Sequence, residues 1–181
     1  RATRQLLDSC SGEKFVLIRW NVERFKLIND LFGQEIGDQV LQTIAGCLRD
    51  TMPENSTYGR LEADHFVLYL PASLSNPQWR LAEVSNRLQK LDIDHTILVD
   101  AGIYEIEDPS LPVAQMCDRA SLALKTIDGK YHQNYSYYTD ELRTAMLREQ
   151  DIRSQMETAL EQRQFQIYLQ PVCSLSAGRP V

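Results

Sequence analysis

Polar side chains that could serve phosphate chemistry gather at two places in this sequence. The heptapeptide RLEADHF, residues 60–66, lies between two strand-like runs and carries Glu62 and Asp64. Asn21 and, two residues later, Glu23 follow an earlier strand-like run. Two carboxylates on adjacent strand ends can hold a divalent cation that organises a nucleoside triphosphate for phosphoryl transfer. These two places are therefore the candidate site.

Strands and helices alternate around these residues. Residues 15–20, FVLIRW, form an apolar, β-branched run typical of a buried central strand. Apolar residues at helical spacing predict a short helix over 25–32 and a second helix from about Gly37 to Pro53. The segment 56–71 is typical of two strands around a tight connection. The heptapeptide therefore falls at a hairpin turn.

The next part of the chain continues the alternation. Asn76 followed by Pro77 is typical of a helix start. A strand is predicted within 97–108, a helix over about 112–127 and a last short strand near 135–138. Because one hairpin interrupts the alternation, the α/β fold should contain a mixed sheet with helices on its faces.

The C-terminal part has a different character. Residues 141–164 combine an apolar stripe with dense mixed charge, including Glu149 and Arg153 four residues apart, and predict a long connecting helix. The following FQIYLQPV alternates apolar and polar residues like the first strand of a second domain. The chain therefore reads as a piece of a longer protein.

Composition excludes several classes of function. A net charge of −6 and a pI near 5.1 argue against nucleic acid as a partner. The four cysteines lie far apart and form no C-x-x-C pair, so no zinc site is expected. This cysteine pattern is typical of reduced thiols in a cytoplasmic protein. No apolar run approaches the ~18 residues of a membrane span, so no membrane contact is expected from this segment, although the parent protein could be anchored elsewhere.

The stretch FKLINDLFGQEIGDQVLQTIAGCL, residues 25–48, resembles the GGDEF family, the diguanylate cyclases that join two GTP molecules into cyclic di-GMP. The family pattern is roughly D-x-D-x-F-K-x-I-N-D-x-x-G-x-x-x-G-D-x-x-L. The matching residues are Phe25, Lys26, Ile28, Asn29, Asp30, Gly33, Gly37, Asp38 and Leu41. The resemblance continues over about 10–140 and implies a central mixed sheet of about five strands flanked by helices, like a nucleotidyl-cyclase palm.

Residues 160–175, LEQRQFQIYLQPVCSL, resemble the opening strand of an EAL domain, the cyclic di-GMP phosphodiesterase module that often follows GGDEF. The resemblance thus divides the chain into a GGDEF domain over 1–140, a linker helix over 141–164 and the first strand of a truncated EAL domain over 165–181.

The resemblance also implies Mg²⁺ and GTP as ligands, but the metal positions are altered. The family's first metal-binding Asp falls on Asn21, which keeps an oxygen but loses the charge, and the second acid is Glu23. In the signature hairpin the Asp survives as Asp64, while the following Glu is His65. Asn21 and Asp64 are therefore only residual metal ligands, and Glu23 and Asp64 only residual catalytic groups.

The positions that face the triphosphate in the family are altered as well. The two signature glycines are Glu62 and Ala63, whose side chains obstruct a close backbone approach. A Glu62 carboxylate ~5 Å from one phosphate charge would weaken binding by about a hundredfold at an effective dielectric near 20. The family's phosphate-binding Lys falls on Thr126, and its Arg companion is Lys130, which keeps a charge for nucleotide binding.

The family's product-inhibition motif, R-x-x-D, would place its ends on Pro53 and Ser56. No inhibitory site for cyclic di-GMP is therefore expected.

The residues that contact the guanine base in the family, Asn29 and Asp38, are both present. The resemblance therefore implies that the base-recognition half of the pocket is kept. The residues alone leave structural alternatives open: Asn29 could serve a helix end and Asp38 could cap the following helix. Asp64 could be a turn residue and His65 a strand-end side chain with a local hydrogen bond.

Glu23, with Arg24, could likewise belong to the first turn of a solvated helix.

Together, these expectations predict a non-catalytic GGDEF module that controls an attached EAL phosphodiesterase domain. GTP binding is one way in which the module could exert this control. One alternative is a weakly active diguanylate cyclase that uses Glu23 and Asp64 as metal ligands. Another is a pure interaction scaffold. The expected partners are GTP, the protein's own EAL domain and a second copy of the chain.

Overall fold

The computed structural model describes residues 13–127 and 133–168. The described strands are β1 Phe15–Val22, β2 Thr57–Glu62, β3 His65–Pro71, β4 Val99–Glu105 and β5 Tyr135–Tyr137. The described α-helices are α1 Phe25–Phe32, α2 Gln34–Thr51, α3 Pro77–Leu88, α4 Val113–Lys125 and α5 Asp140–Glu161. A 3₁₀ turn, Ala72–Leu74, follows β3.

The strands form one sheet in the order β2-β3-β1-β4-β5. β1 is antiparallel to β3 and β4, and β5 is parallel to β4. β1 takes the central position because most of its side chains are buried on both faces of the sheet. The expected α/β fold, a mixed sheet of about five strands flanked by helices, is confirmed.

Two hydrophobic clusters cover the two faces of the sheet. On one face, Ile18 and other even-numbered residues of β1 pack with α1, α2 and α3. On the other face, Leu17 packs with Met116 of α4. Because successive side chains of a strand point to opposite faces, Arg19 and Asn21 belong to the α4 face.

A glycine of β4 allows α4 to approach the sheet closely. A Cβ built at Gly102 would overlap the carbonyl oxygen of Ala120 and lie 2.6 Å from the backbone nitrogen of Leu124. Gly102 is also the register partner of Arg19. The same close approach therefore brings α4 over Arg19.

Helix α2 begins earlier than the sequence pattern predicted. It starts at Gln34, directly after Gly33, which has a φ of 87° and separates α1 from α2. Glycine tolerates this left-handed conformation, so the second helix starts without a loop. Asp38 is consequently inside α2, and the interpretation of Asp38 as an N-cap is wrong.

The helix start predicted from Asn76 and Pro77 is confirmed. The Asn76 side-chain oxygen accepts a hydrogen bond from the backbone nitrogen of Trp79 at 3.0 Å, and Pro77 is the first residue of α3. Such a cap satisfies a backbone donor that has no partner within the helix.

The chain divides into two compact units, residues 1–143 and 144–181. The division falls within α5. Residues 164–168 form neither helix nor strand, and the rest of the expected EAL strand, from 169 onwards, lies outside the described residues. Within residues 13–127 and 133–168, every helix is too short or too polar to span a membrane.

Candidate functional site

Asn29, on α1, is held against the start of α2. A Cβ built at Gly37 would overlap the Asn29 Oδ1 atom and lie 3.2 Å from Phe25 Cζ, so a larger residue at position 37 would displace the Asn29 side chain. Gly37 is buried, and Asp38 is the next residue. The structure therefore brings the two predicted base-contacting residues close together, through helix packing rather than through a helix cap.

A groove of about 350 Å³ lies between α2 and the β2–β3 hairpin. Its lining combines apolar surface with one carboxylate and one guanidinium. The lining residues are Asp38, Leu41, Gln42, Ala45, Leu48, Tyr58, Gly59, Arg60 and Phe66. Apolar walls with a few polar groups suit a flat heteroaromatic ring, and the Asp38 carboxylate can accept hydrogen bonds from ring N–H groups.

The hairpin turn holds a residue in a left-handed conformation. Ala63 has a φ of 44°, which L-residues other than glycine rarely adopt. The Arg60 Nε atom donates a hydrogen bond to the Ala63 carbonyl oxygen at 2.6 Å. Arg60 thus stabilises a turn whose conformation favours glycine, and the partly buried Asp64 completes it. The interpretation of Asp64 as a turn residue fits this position.

Polar residues form a row across the α4 face of the sheet. Asn21 is in register with Asp100 of β4. Because Trp20 is the register partner of Phe66, Asn21 comes level with His65 of β3. Opposed residues of neighbouring antiparallel strands have Cβ atoms about 4.5–5.5 Å apart. Asn21 and the heptapeptide therefore do meet on this face of the sheet.

Arg19 lies next to this row and connects three elements. Its Nη1 atom donates to Ser121 Oγ of α4 at 2.8 Å, and its Nη2 atom is 4.0 Å from Glu62 Oε1 at the end of β2. The Glu62 side chain is 76% exposed, so solvent weakens this ion pair. Screening also makes the repulsion expected between Glu62 and a phosphate smaller than the hundredfold effect calculated above.

Two buried nitrogen atoms on this face have no hydrogen-bond partner among the described residues. They are Arg19 Nε and His65 Nδ1. The local hydrogen bond considered for His65 is therefore not made by Nδ1. Buried polar atoms are normally hydrogen-bonded, so both nitrogens are available to a polar ligand that reaches this face.

Glu23 lies outside this cluster of contacts. Its backbone nitrogen donates to the Leu98 carbonyl oxygen at 2.9 Å, and its carboxylate is 3.5 Å from Arg24 Nε. Arg24 has a φ of 52° and precedes α1. Glu23 and Arg24 therefore form the turn before α1, and the interpretation that they belong to its first turn is wrong.

The residues at the family's phosphate and inhibition positions make structural contacts. Thr126 ends α4, and its hydroxyl donates to the Ala123 carbonyl oxygen at 2.7 Å. The Ser56 hydroxyl donates to the Pro53 carbonyl oxygen within the turn that precedes β2. Lys130 lies outside the described residues.

The donor set does not fit a divalent cation. In residues 13–127 and 133–168, no group of three His, Cys, Asp or Glu side chains is arranged to hold a metal. Mg²⁺ prefers charged oxygen ligands, whereas Asn21 is neutral and Glu62 faces Arg19. No step that depends on a bound metal can be derived from these residues.

Thiol chemistry is not available near the row either. Burial raises the pKa of Cys117 on α4, and the nearby Arg19 charge offsets this only in part. Burial also raises the pKa of Cys47 on α2. Both thiols are free and stay protonated at neutral pH, so neither is a ready nucleophile.

Arg19 and Ser121 were missed by the sequence reasoning. The signal for Arg19 was present, because it is the charged residue inside the otherwise apolar run FVLIRW. A charge at a buried strand position needs a partner. The partners could not be read from the sequence, since Ser121 is 102 residues away.

Comparison with known proteins places these features in a family context. A family model described as "Diguanylate cyclase, GGDEF domain" matches residues 1–130. The signaling protein YkoW of Bacillus subtilis is 28% identical over 167 residues, 86% of this chain and 20% of YkoW. The bifunctional diguanylate cyclase/cyclic di-GMP phosphodiesterase MucR of Pseudomonas aeruginosa is 24% identical over 87% of this chain and 24% of MucR.

A solved structure gives the same fold. The coiled coil and GGDEF domain of DgcB from Caulobacter crescentus, in complex with c-di-GMP, aligns with a TM-score of 0.63 at 23% identity, over 76% of this chain and 75% of that one. This likeness concerns the fold. The chain spans between a fifth and a quarter of the length of the two curated relatives above.

Proposed function

Because the chain belongs to the GGDEF family of diguanylate cyclase domains, we propose that it is a non-catalytic regulatory module of a bacterial cyclic di-GMP signalling protein. The observation that carries this proposal is the hairpin at residues 62–65. Glu62 places a carboxylate beside Arg19, and Ala63 occupies a left-handed position that favours glycine. A triphosphate approaching this hairpin meets side chains where a cyclase offers bare backbone.

The neutral side chain of Asn21, where the family has an Asp, also supports a domain that does not turn over GTP. A cyclase brings a 3′-hydroxyl to an α-phosphate, and a metal ion offsets the charge that develops. Asn21 cannot contribute a negative charge to hold such an ion, and Asp64 alone is a weak ligand set. The proposal is therefore that this domain does not turn over GTP.

Base binding is the property that the domain keeps under this proposal. Asp38 lines the groove, and Asn29 packs beside it against Gly37. GTP bound there can regulate a neighbouring domain only if it favours one state of the pair over the other. The proposed neighbour is an EAL phosphodiesterase domain, which the resemblance of residues 160–175 supports.

A cyclase assay tests the non-catalytic part. The purified 181-residue chain is incubated with GTP and either Mg²⁺ or Mn²⁺, and cyclic di-GMP is measured by liquid chromatography. We expect no product above a blank without protein. Product formation that disappears in Asp64→Asn would instead establish the weak cyclase, whereas an Asp64→Asn chain with unchanged product would point to contamination.

A second assay tests regulation by GTP. In the full-length protein, GTP should change the rate of cyclic di-GMP hydrolysis, and Asp38→Asn should abolish that change without altering the rate in the absence of GTP. If calorimetry detects no GTP binding and the rate is insensitive to GTP, the sensing function is wrong. Protection of α5 from proteolysis by a partner protein would then favour the scaffold.

A further inference from the structure

Arg19 is an under-satisfied cation at the edge of the candidate site. A guanidinium has five N–H donors. Within the described part of the chain, its one hydrogen bond goes to Ser121, and its Nε atom is buried without a partner. The Arg19 side chain is only 17% exposed. A cation this deeply placed gains from any anion that can reach it.

The anion now nearest to Arg19 is a poor partner. Glu62 Oε1 is 4.0 Å from Arg19 Nη2, beyond hydrogen-bond distance, and the Glu62 side chain is mostly in water. Glu62 can therefore swing away at little cost and leave the Nη2 corner to another anionic oxygen. His65 adds a second unpaired buried nitrogen on the same face.

The Arg19 guanidinium reaches toward the hairpin end of the sheet, where its Nη2 atom lies 4.0 Å from Glu62 Oε1. The groove for the base is lined by β2 residues up to Arg60, and Glu62 ends the same strand. The groove lies on the face of the sheet that α2 covers, since its lining residues Leu41 and Phe66 belong to that cluster, whereas Arg19 lies on the α4 face. Phosphates attached to a base in the groove would therefore reach Arg19 by extending around the hairpin turn, past Glu62. A planar, always charged guanidinium suits phosphate oxygens well.

We propose that Arg19 forms a metal-independent phosphate site, which binds the phosphate groups of a guanine nucleotide after displacing Glu62. This inference rests on the proposed GTP binding. The cationic side chain replaces the role of a divalent ion in a domain whose donor set does not fit one. Ser121 and the close approach of α4 at Gly102 hold the guanidinium in place.

GTP affinity measured with excess EDTA and with Mg²⁺ tests the proposal. The two affinities should agree within about twofold, because no metal is involved. Arg19→Gln should weaken binding by about tenfold or more, through loss of a charge-assisted contact. Arg49 is an exposed arginine on α2 that does not line the groove. Arg49→Gln removes the same charge there, so it is the matched control and should bind GTP as the wild type does.

Glu62→Gln gives an independent test, because it changes an exposed side chain and leaves the core intact. It should tighten GTP binding about threefold to tenfold, since a screened repulsion is removed. A tenfold loss of affinity in EDTA, or wild-type affinity in Arg19→Gln, would overturn the proposal. An unchanged affinity in Glu62→Gln would also overturn it.

Inorganic tripolyphosphate separates this inference from the function it rests on. In EDTA it should shift the Arg19 Nε–H resonance in a ¹H–¹⁵N spectrum of the wild type and leave the other arginine Nε–H signals in place. If neither tripolyphosphate nor GTP shifts it, the phosphate site is wrong. If both do but GTP leaves hydrolysis in the full-length protein unchanged, the site stands and GTP regulation fails.

Discussion

Replacing Gly102 by alanine should test how the packing of α4 supports the site. The added Cβ would overlap the Ala120 carbonyl oxygen and lie 2.6 Å from Leu124 N and 2.8 Å from Leu124 Cβ. Two of these three atoms belong to the backbone, so no side-chain rotation relieves the overlap. To restore ordinary contact, α4 has to move by on the order of 1 Å, and overpacking of this kind costs about 1–3 kcal/mol.

Urea unfolding followed by tryptophan fluorescence measures this cost, since Trp20 is buried at the centre of the sheet. We expect Gly102→Ala to lower the free energy of unfolding by about 3 kcal/mol, because the obstructing atoms are backbone. This loss corresponds to a decrease of roughly 6–12 °C in Tm. Gly59→Ala is the matched control, because a Cβ there meets nothing within 4 Å. Equal free energies of unfolding for the two variants would refute this account of the α4 contact.

Three further substitutions test local features by the same unfolding assay. Ala63→Gly should raise the free energy of unfolding by about 0.5–1 kcal/mol. Removing the Cβ from a left-handed residue relieves more strain than the entropy that glycine adds to the unfolded chain costs. A decrease in the free energy of unfolding would contradict the strain at Ala63. Asn76→Ala should lower it by about 1 kcal/mol through loss of the Trp79 cap, and no change would mean that the cap is unimportant. Ile44→Ala should lower it by about 2–5 kcal/mol because Ile44 is fully buried, and a loss below 1 kcal/mol would argue against that packing.

Local signals in the sequence predicted much of the fold. FVLIRW predicted the central strand because apolar, β-branched residues on both faces of a strand need cover on both faces. Asn76 and Pro77 predicted the start of α3 because capping depends on residues only three positions apart. In each case the deciding interaction is local or follows from burial alone.

The features that the sequence reasoning missed depend on contacts between distant residues. The start of α2 at Gln34 depends on Gly33 turning the chain sharply, and a glycine in that place is equally compatible with a longer loop. The position of Arg19 depends on Ser121 and Glu62, which come from two other elements. Periodicity cannot reveal such partners because it reports only which face a residue occupies.

The structure gives different reasons for the presence of the two residues that are predicted to contact the base. Asn29 has a packing reason to be present, because its side chain occupies the space left by Gly37. Asp38 has no such reason: it is exposed, and the described residues give it no hydrogen bond or ion pair. A substitution at Asn29 would therefore disturb the α1–α2 contact and ligand binding together. Of these two residues, Asp38 is the one that lines the groove and has no structural role. Loss of GTP binding in Asp38→Asn would therefore report on the base contact itself.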